Sequence, residues 1–314
     1  MDSQLISYGE GSVEHPRGIS NAIYSSRFCR IIDDSLKDED NVAWVMRLPT
    51  VEREAWTTIL EWVRVPDRLL ERDRFEPQAG SDGYAFKDFA SDWRNLREHR
   101  IVSPNSPFAG LFRRLRSYWD REKITESMLK TWDLYLTSLE RYIRPRKEIA
   151  GLREYRKALY GLSGTFFQAF PYAPIQFMKE VGVFGTLDQF FNNLRDLYED
   201  TIRGICYYPI SLLERFQIEP QELPRLVHEP NRRFVRLNEF LLSSFASGLQ
   251  TQMKPLLTAN SVHPSWKICM QHTINRYERI EYFVRLCHFN VRLFRAAYWE
   301  DVQNKFSKET ALRA

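Results

Sequence analysis

Apolar residues return every three or four positions along most of this chain, and that period is the mark of helices with one buried face. Over residues 50–70 the face is Ala55, Trp56, Ile59, Leu60 and Val63; over 117–142 it is Met128, Trp132, Tyr135, Leu136 and Leu139. Residues 187–198, 238–257 and 265–297 read as further long helices. Alternating β-branched runs are rare, and Gly and Pro number only 13 and 15, so little in the sequence asks for strands or hairpins. The expected fold class is all-α.

Turn-forming clusters at 76–83, 103–107, 219–224 and 259–264 separate the helices, and none is long enough to serve as an interdomain linker. A single domain over 21–302 is the economical expectation, with loosely held ends at 1–20 and 303–314. A hydrophobic fraction of 43% gives such a domain ample core. With 45 basic against 41 acidic side chains and no Lys/Arg block, no nucleic-acid partner is expected. The cysteines show no CxxC spacing and the histidines no HExxH pattern, which argues against a zinc site or a disulfide framework. The first residues lack the basic start and apolar core of a signal peptide, so the expected location is cytoplasmic. The uncharged run 158–178 approaches bilayer length, but Gly161, Gly164, Pro171 and Pro174 make it read as a buried helix that breaks near Pro171.

The stretch QFFNNLRDLYEDTIRGICYYP, residues 189–209, asks for a chemical explanation. On a helix, Asn192, Asp196 and Asp200 are four residues apart and share a face, with Arg195 and Glu199 beside it. Carboxylates one turn apart repel, and a hard cation relieves them: Mg²⁺ takes oxygen ligands, keeps several waters and shares its shell with phosphates. The plainer reading is a solvated face neutralised by Arg195 and Arg203. Upstream, Asp34/Asp38 and Asp67/Glu71 are two further acid pairs at four-residue spacing, and the plainer reading of Asp67/Glu71 is an exposed pair balanced by Arg68 and Arg72.

Residues 189–209 closely resemble the second aspartate-rich motif of the squalene and phytoene synthase family. Gln189, Asn192, Arg195, Asp196, Asp200, Gly204, Tyr207 and Pro209 stand in register with it, and SLLERF follows in the family's manner. Ile205 departs, where the family usually has Arg. The segment from Leu48, LPTVEREAWTTILEWVRVPDRLLE, resembles the family's first-motif helix and puts Arg53, Trp62, Arg64, Asp67 and Glu71 in register. The rival match at 28–34 is set aside, because only Asp67/Glu71 leaves room upstream for a short N-terminal helix and a phosphate-contacting segment near 38–44. Glu71 replaces the family's Asp, and Pro66 is expected to kink or restart the helix, leaving Asp67 in a first turn. YRKALYGLSGTFF resembles a third family segment through Tyr155, Gly161 and Gly164, with the bulky Tyr160 expected to narrow a cavity there. Phe166, Phe167, Phe170, Phe190 and Phe191 suit an apolar tunnel or a packed core equally well, and Tyr277 and Arg285 fit the family's last helices loosely.

The resemblance implies an isoprenoid synthase helical bundle around a central apolar cavity. It implies Mg²⁺ held by Asp67, Glu71, Asn192, Asp196 and Asp200, with Tyr207 joining the acids in catalysis. Arg53, Arg64, Gln189, Asn192, Arg195, Tyr155, Gly161 and Gly164 would contact the substrate, a farnesyl or geranylgeranyl diphosphate. The implied reaction joins two prenyl diphosphates head to head with release of pyrophosphate, and a lipid product leaves room for peripheral membrane contact. Involvement of NADPH is not legible. Cyclisation of one diphosphate, or a non-catalytic assembly role, are the alternatives.

Overall fold

Burying four large apolar residues around Pro66 decides the course of the first long helix. An interior proline costs about 3 kcal/mol, whereas each buried Val, Leu or Trp side chain contributes about 1.5–3 kcal/mol. Trp62, Val65, Leu69 and Leu70 are all buried, and the helix passes through Pro66 unbroken. Asp67 therefore lies in mid-helix, and the expected restart at Pro66 does not occur.

The computed structural model describes residues 35–75, 85–122, 124–142 and 148–311, and every regular element among them is helical. In order these are α1 (Ser35–Val42), α2 (Thr50–Phe75), α3 (Phe86–His99), α4 (Ala109–Glu122), α5 (Glu126–Tyr142) and α6 (Leu152–Leu159). They continue as α7 (Met178–Arg195), α8 (Leu197–Ile202), α9 (Arg232–Phe240), α10 (Ser247–Thr258), α11 (Pro264–Leu286) and α12 (Val291–Ala311), with short helical turns between. The expectations for 1–20 and for the acid pair partner Asp34 lie outside the described residues.

The centre is α7, buried on nearly every side from Val181 to Arg195, as a helix enclosed by others must be. It packs on α6, α10 and α11, and most closely on the π-helical turn Tyr160–Gly164 that follows α6. That approach depends on small residues: a Cβ at Gly164 would lie 2.7 Å from the carbonyl oxygen of Gly182, and one at Gly185 would lie 2.8 Å from the Cα of Gly164. The helix entering this contact ends at Gln168, shortly before Pro171, and Trp266 Nε1 donates to the Pro171 carbonyl at 2.7 Å. The expected buried break near Pro171 is present.

Three expected boundaries are corrected. The single helix over 117–142 is α4 and α5, separated after Glu122. The helix over 265–297 is α11 and α12, turning through left-handed backbone at His288 (φ 50) and Phe289 (φ 61). Finally, α12 continues to Ala311, so residues 303–311 are helical. No helix among the described residues is long and apolar enough to cross a membrane.

Candidate active site

A cavity of about 1160 Å³ opens between α2 and the α7–α8 pair. Its floor is apolar, formed by Leu60, Val63, Leu139, Leu162, Phe166 and Phe170, and its mouth is acidic. Asp67 and Glu71 of α2 line one side, while Asn192, Asp196 and Asp200 line the other. The helix expected over 187–198 is in fact bent at Asp196 (φ −94, ψ 7). The bend leaves the four-residue register intact, because Asp196 N bonds the Asn192 carbonyl at 2.9 Å and Asp200 N bonds the Asp196 carbonyl at 3.0 Å.

Cations hold most of these acids. Arg64 Nη1 donates to Asp67 Oδ2 and Arg68 Nη1 to Glu71 Oε2, each at 3.2 Å. Arg195 grips Asp196 with two parallel bonds of 3.0 Å, and Lys37 Nζ stands 3.3 Å from Asp196 Oδ1. Burial alone would raise the Asp196 carboxyl, but Arg195 and Lys37 outweigh it and hold the group well below the usual carboxylate range. Asp200 moves the opposite way: burial first, then Asp196, with Glu71 and Glu199 adding, push it well above its ordinary value. Tyr207 is raised by burial and then by Asp200, Glu71, Asp67 and Asp196. Acids from both sides of the mouth thus bear on one phenol.

The short helix α1 ties the two sides together. Asp38 pairs with Arg64 and lies 3.8 Å from Arg68, both on α2. Asp40, fully buried, pairs with Arg279 and accepts from the Tyr298 hydroxyl at 2.5 Å. Asn41 Oδ1 accepts from Arg195 Nη1 at 2.9 Å and also from Arg276. Sequence reasoning placed a phosphate-contacting segment at 38–44 but missed this role, and it missed Lys37, Asp188 and Arg276, which also line the cavity. The acidic run Asp38–Asp40 was the available signal.

Several expected substrate contacts fall elsewhere. Arg53 bonds Thr50 Oγ1 at 3.4 Å in the first turn of α2 and does not line the cavity. Tyr155 is buried against Phe245, ring centroids 5.3 Å apart, and does not line the cavity. Gly161 fits against Ser138 and Gly164 against Gly182, so both serve helix packing while their neighbour Leu162 lines the cavity. Tyr160 also lies outside the lining, its hydroxyl donating to Gln168 Oε1 at 2.8 Å, and it does not narrow the cavity. Among the phenylalanines, Phe166, Phe167 and Phe170 reach the cavity, whereas Phe190 and Phe191 belong to the core. Gln189 lines the cavity and donates to Asn193 Oδ1 at 2.8 Å. Where the family has Arg, Ile205 faces the cavity, and cationic side chains at the rim come instead from Arg203, Arg292 and Arg295.

The oxygen donors suit Mg²⁺. Asn192 Oδ1 is buried with no hydrogen-bond partner, and Asp200 sits among acids that a cation would relieve. Among the described residues no three His, Cys, Asp or Glu side chains lie close enough together to hold a metal ion by themselves. A donor set divided across a cavity matches an ion that keeps several waters and takes the rest of its shell from phosphate.

A helical assembly with two acid-bearing helices over an apolar cavity is the all-α fold of isoprenoid synthases, and the comparisons with solved structures agree. The chain is similar to a dehydrosqualene synthase crystallised with a ligand, at TM-score 0.67 and 16% identity over 88% of this chain and 94% of that one. It is also similar to squalene synthase HpnC from Alicyclobacillus acidocaldarius, at TM-score 0.60 and 14% identity over 80% of this chain and 90% of that one. No family model and no curated protein matches the sequence. The fold is that of the squalene/phytoene synthases.

Proposed function

We propose that this protein is a prenyl-transferring synthase that joins two prenyl diphosphates head to head and releases pyrophosphate. The observation that carries the reading is the convergence of acids from α2 and α7–α8 on Tyr207, above an apolar cavity. Asp67, Glu71, Asn192, Asp196 and Asp200 would hold Mg²⁺, which supplies Lewis-acid stabilisation of the departing diphosphate when bound. Arg203, Arg292 and Arg295 add positive charge at the rim for the anionic head group. The prenyl tail lies along Leu162, Phe166 and Phe170, away from water. As the carbon–oxygen bond breaks, its electron pair leaves with pyrophosphate; the double bond of the second substrate attacks the allylic cation, and the new cation so formed closes to a cyclopropane by losing a proton to the released pyrophosphate. The aromatic faces of Phe166, Phe167 and Phe170 stabilise that cation. Tyr207 keeps its proton, because its raised pKa makes it a hydrogen-bond donor rather than a base.

A second reading, a non-catalytic factor that retains the fold, draws support from the internal ion pairs on Asp67, Glu71 and Asp196. Geranyl, farnesyl and geranylgeranyl diphosphates, each incubated with Mg²⁺ and assayed for pyrophosphate, separate the readings. A product of doubled carbon number supports head-to-head joining, and one of unchanged number means that a single diphosphate is cyclised or ionised and quenched. No release and no Mg²⁺-dependent binding leaves the non-catalytic factor.

A further inference from the structure

We infer that Asp188 is a positioning residue that decides which end of the Asn192 amide faces the cavity; the inference rests on the metal-binding reading of the mouth. Asp188 lies one turn before Asn192 on α7, and Asn192 Nδ2 donates to Asp188 Oδ2 at 3.0 Å. The two ends of an amide are nearly the same size and differ in polarity alone. A carboxylate paired with a guanidinium offers only acceptors, so only the NH₂ end can sit against it. The oxygen end is thereby turned the other way, where Oδ1 is buried and unpartnered on a residue that lines the cavity. A buried carbonyl left so has lost its water without a replacement, a loss that a cation at the mouth would make good.

Asp188 is itself held from behind. It is 6% exposed, pairs with Arg276 of α11, and accepts from the Tyr277 hydroxyl at 3.1 Å. Arg276 reaches on to Asn41 Oδ1, which Arg195 also bonds, and Arg195 grips Asp196. One run of contacts, Asn192–Asp188–Arg276–Asn41–Arg195–Asp196, therefore joins two of the three donor residues of that side. Stability gives little reason for it, since an apolar pair of similar volume packs at least as well as a buried ion pair.

The test is Mn²⁺ binding in the presence of inorganic pyrophosphate, followed by the paramagnetic resonance of free Mn²⁺, with melting measured alongside. Asp188→Asn is expected to weaken binding about 10-fold, the size typical of losing a group that orients a metal ligand. Asn192→Asp alone also weakens it, because two carboxylates then face each other. The double variant D188N/N192D recovers to within about 3-fold of the unaltered protein, since a carboxylate has no wrong end to present. If D188N does not fold, D188L/R276M replaces the pair with apolar side chains and is expected to lose the same 10-fold. Unchanged affinity in D188N or D188L/R276M, or no recovery in D188N/N192D, overturns the role of Asp188. Absence of Mn²⁺ binding by the unaltered protein overturns the metal reading itself, and this inference with it.

Discussion

The ammonium of Lys37 rests 3.3 Å from Asp196 Oδ1, on a carboxylate that the proposed function assigns to a divalent cation. Two cations on one oxygen compete. Lys37→Met should therefore raise Mn²⁺ affinity measured without pyrophosphate by about 5-fold, the equivalent of a partly exposed ion pair near 1 kcal/mol. Unchanged affinity would remove Lys37 from the competition.

The role proposed for Asp200 comes with a stability cost. Its folded pKa lies above the ordinary 3.8, so between those values the folded chain binds more protons than the unfolded one, and stability falls as pH rises. Asp200→Asn should flatten that slope, stabilise the protein at neutral pH, and abolish pyrophosphate release. Calorimetry across the acid range, with the release assay, checks both halves.

His272 runs the other way. Burial, opposed by its bond to the Asp40 carbonyl, lowers it from 6.5 to about 4. Between those values the unfolded chain binds more protons, so stability is lost as pH falls through the window. The loss is about 2 kcal/mol, and His272→Gln should remove it from a pH series of urea midpoints.

A methyl group at Gly164 has nowhere to go, since backbone lies 2.7 Å away at Gly182. Gly164→Ala is expected to cost about 2 kcal/mol. Gly110→Ala is the control: its nearest neighbour is the mobile end of Arg114 at 3.7 Å, and the helix should gain slightly. Equal melting of the two variants would contradict the close crossing of α7.

Of the two arginines read as phosphate contacts in α2, only Arg64 lines the cavity. Arg64→Ala should weaken binding of a prenyl diphosphate about 10-fold, and Arg53→Ala should leave it unchanged. Equal losses, measured by calorimetric titration, would return Arg53 to the site.

What could be read in the sequence was whatever repeats locally. The period of Ala55, Trp56, Ile59 and Val63 gave α2, and four-residue spacing put Asp67 with Glu71 and Asp196 with Asp200 on the cavity. Gly161 and Gly164 were legible as close-approach positions, but what approaches is α7 rather than substrate. The turn at His288 and Phe289 carries neither Gly nor Pro, so no local signal marks it. Pairs such as Asp188 with Arg276 join residues 88 positions apart, a distance at which spacing carries no information. At Pro66, tertiary burial overrode a local rule that was correctly applied.

The attachments of α1 bear on where this chain tolerates being cut. Asp38, Asp40 and Asn41 stand among the guanidiniums of Arg64, Arg68, Arg195, Arg276 and Arg279. A recombinant version beginning after residue 42 would keep α2 to α12 and lose α1 with those two negative charges. Five arginines would then repel one another beside the acids they now orient, so a shortened protein that still folds would make a poor reporter of catalysis.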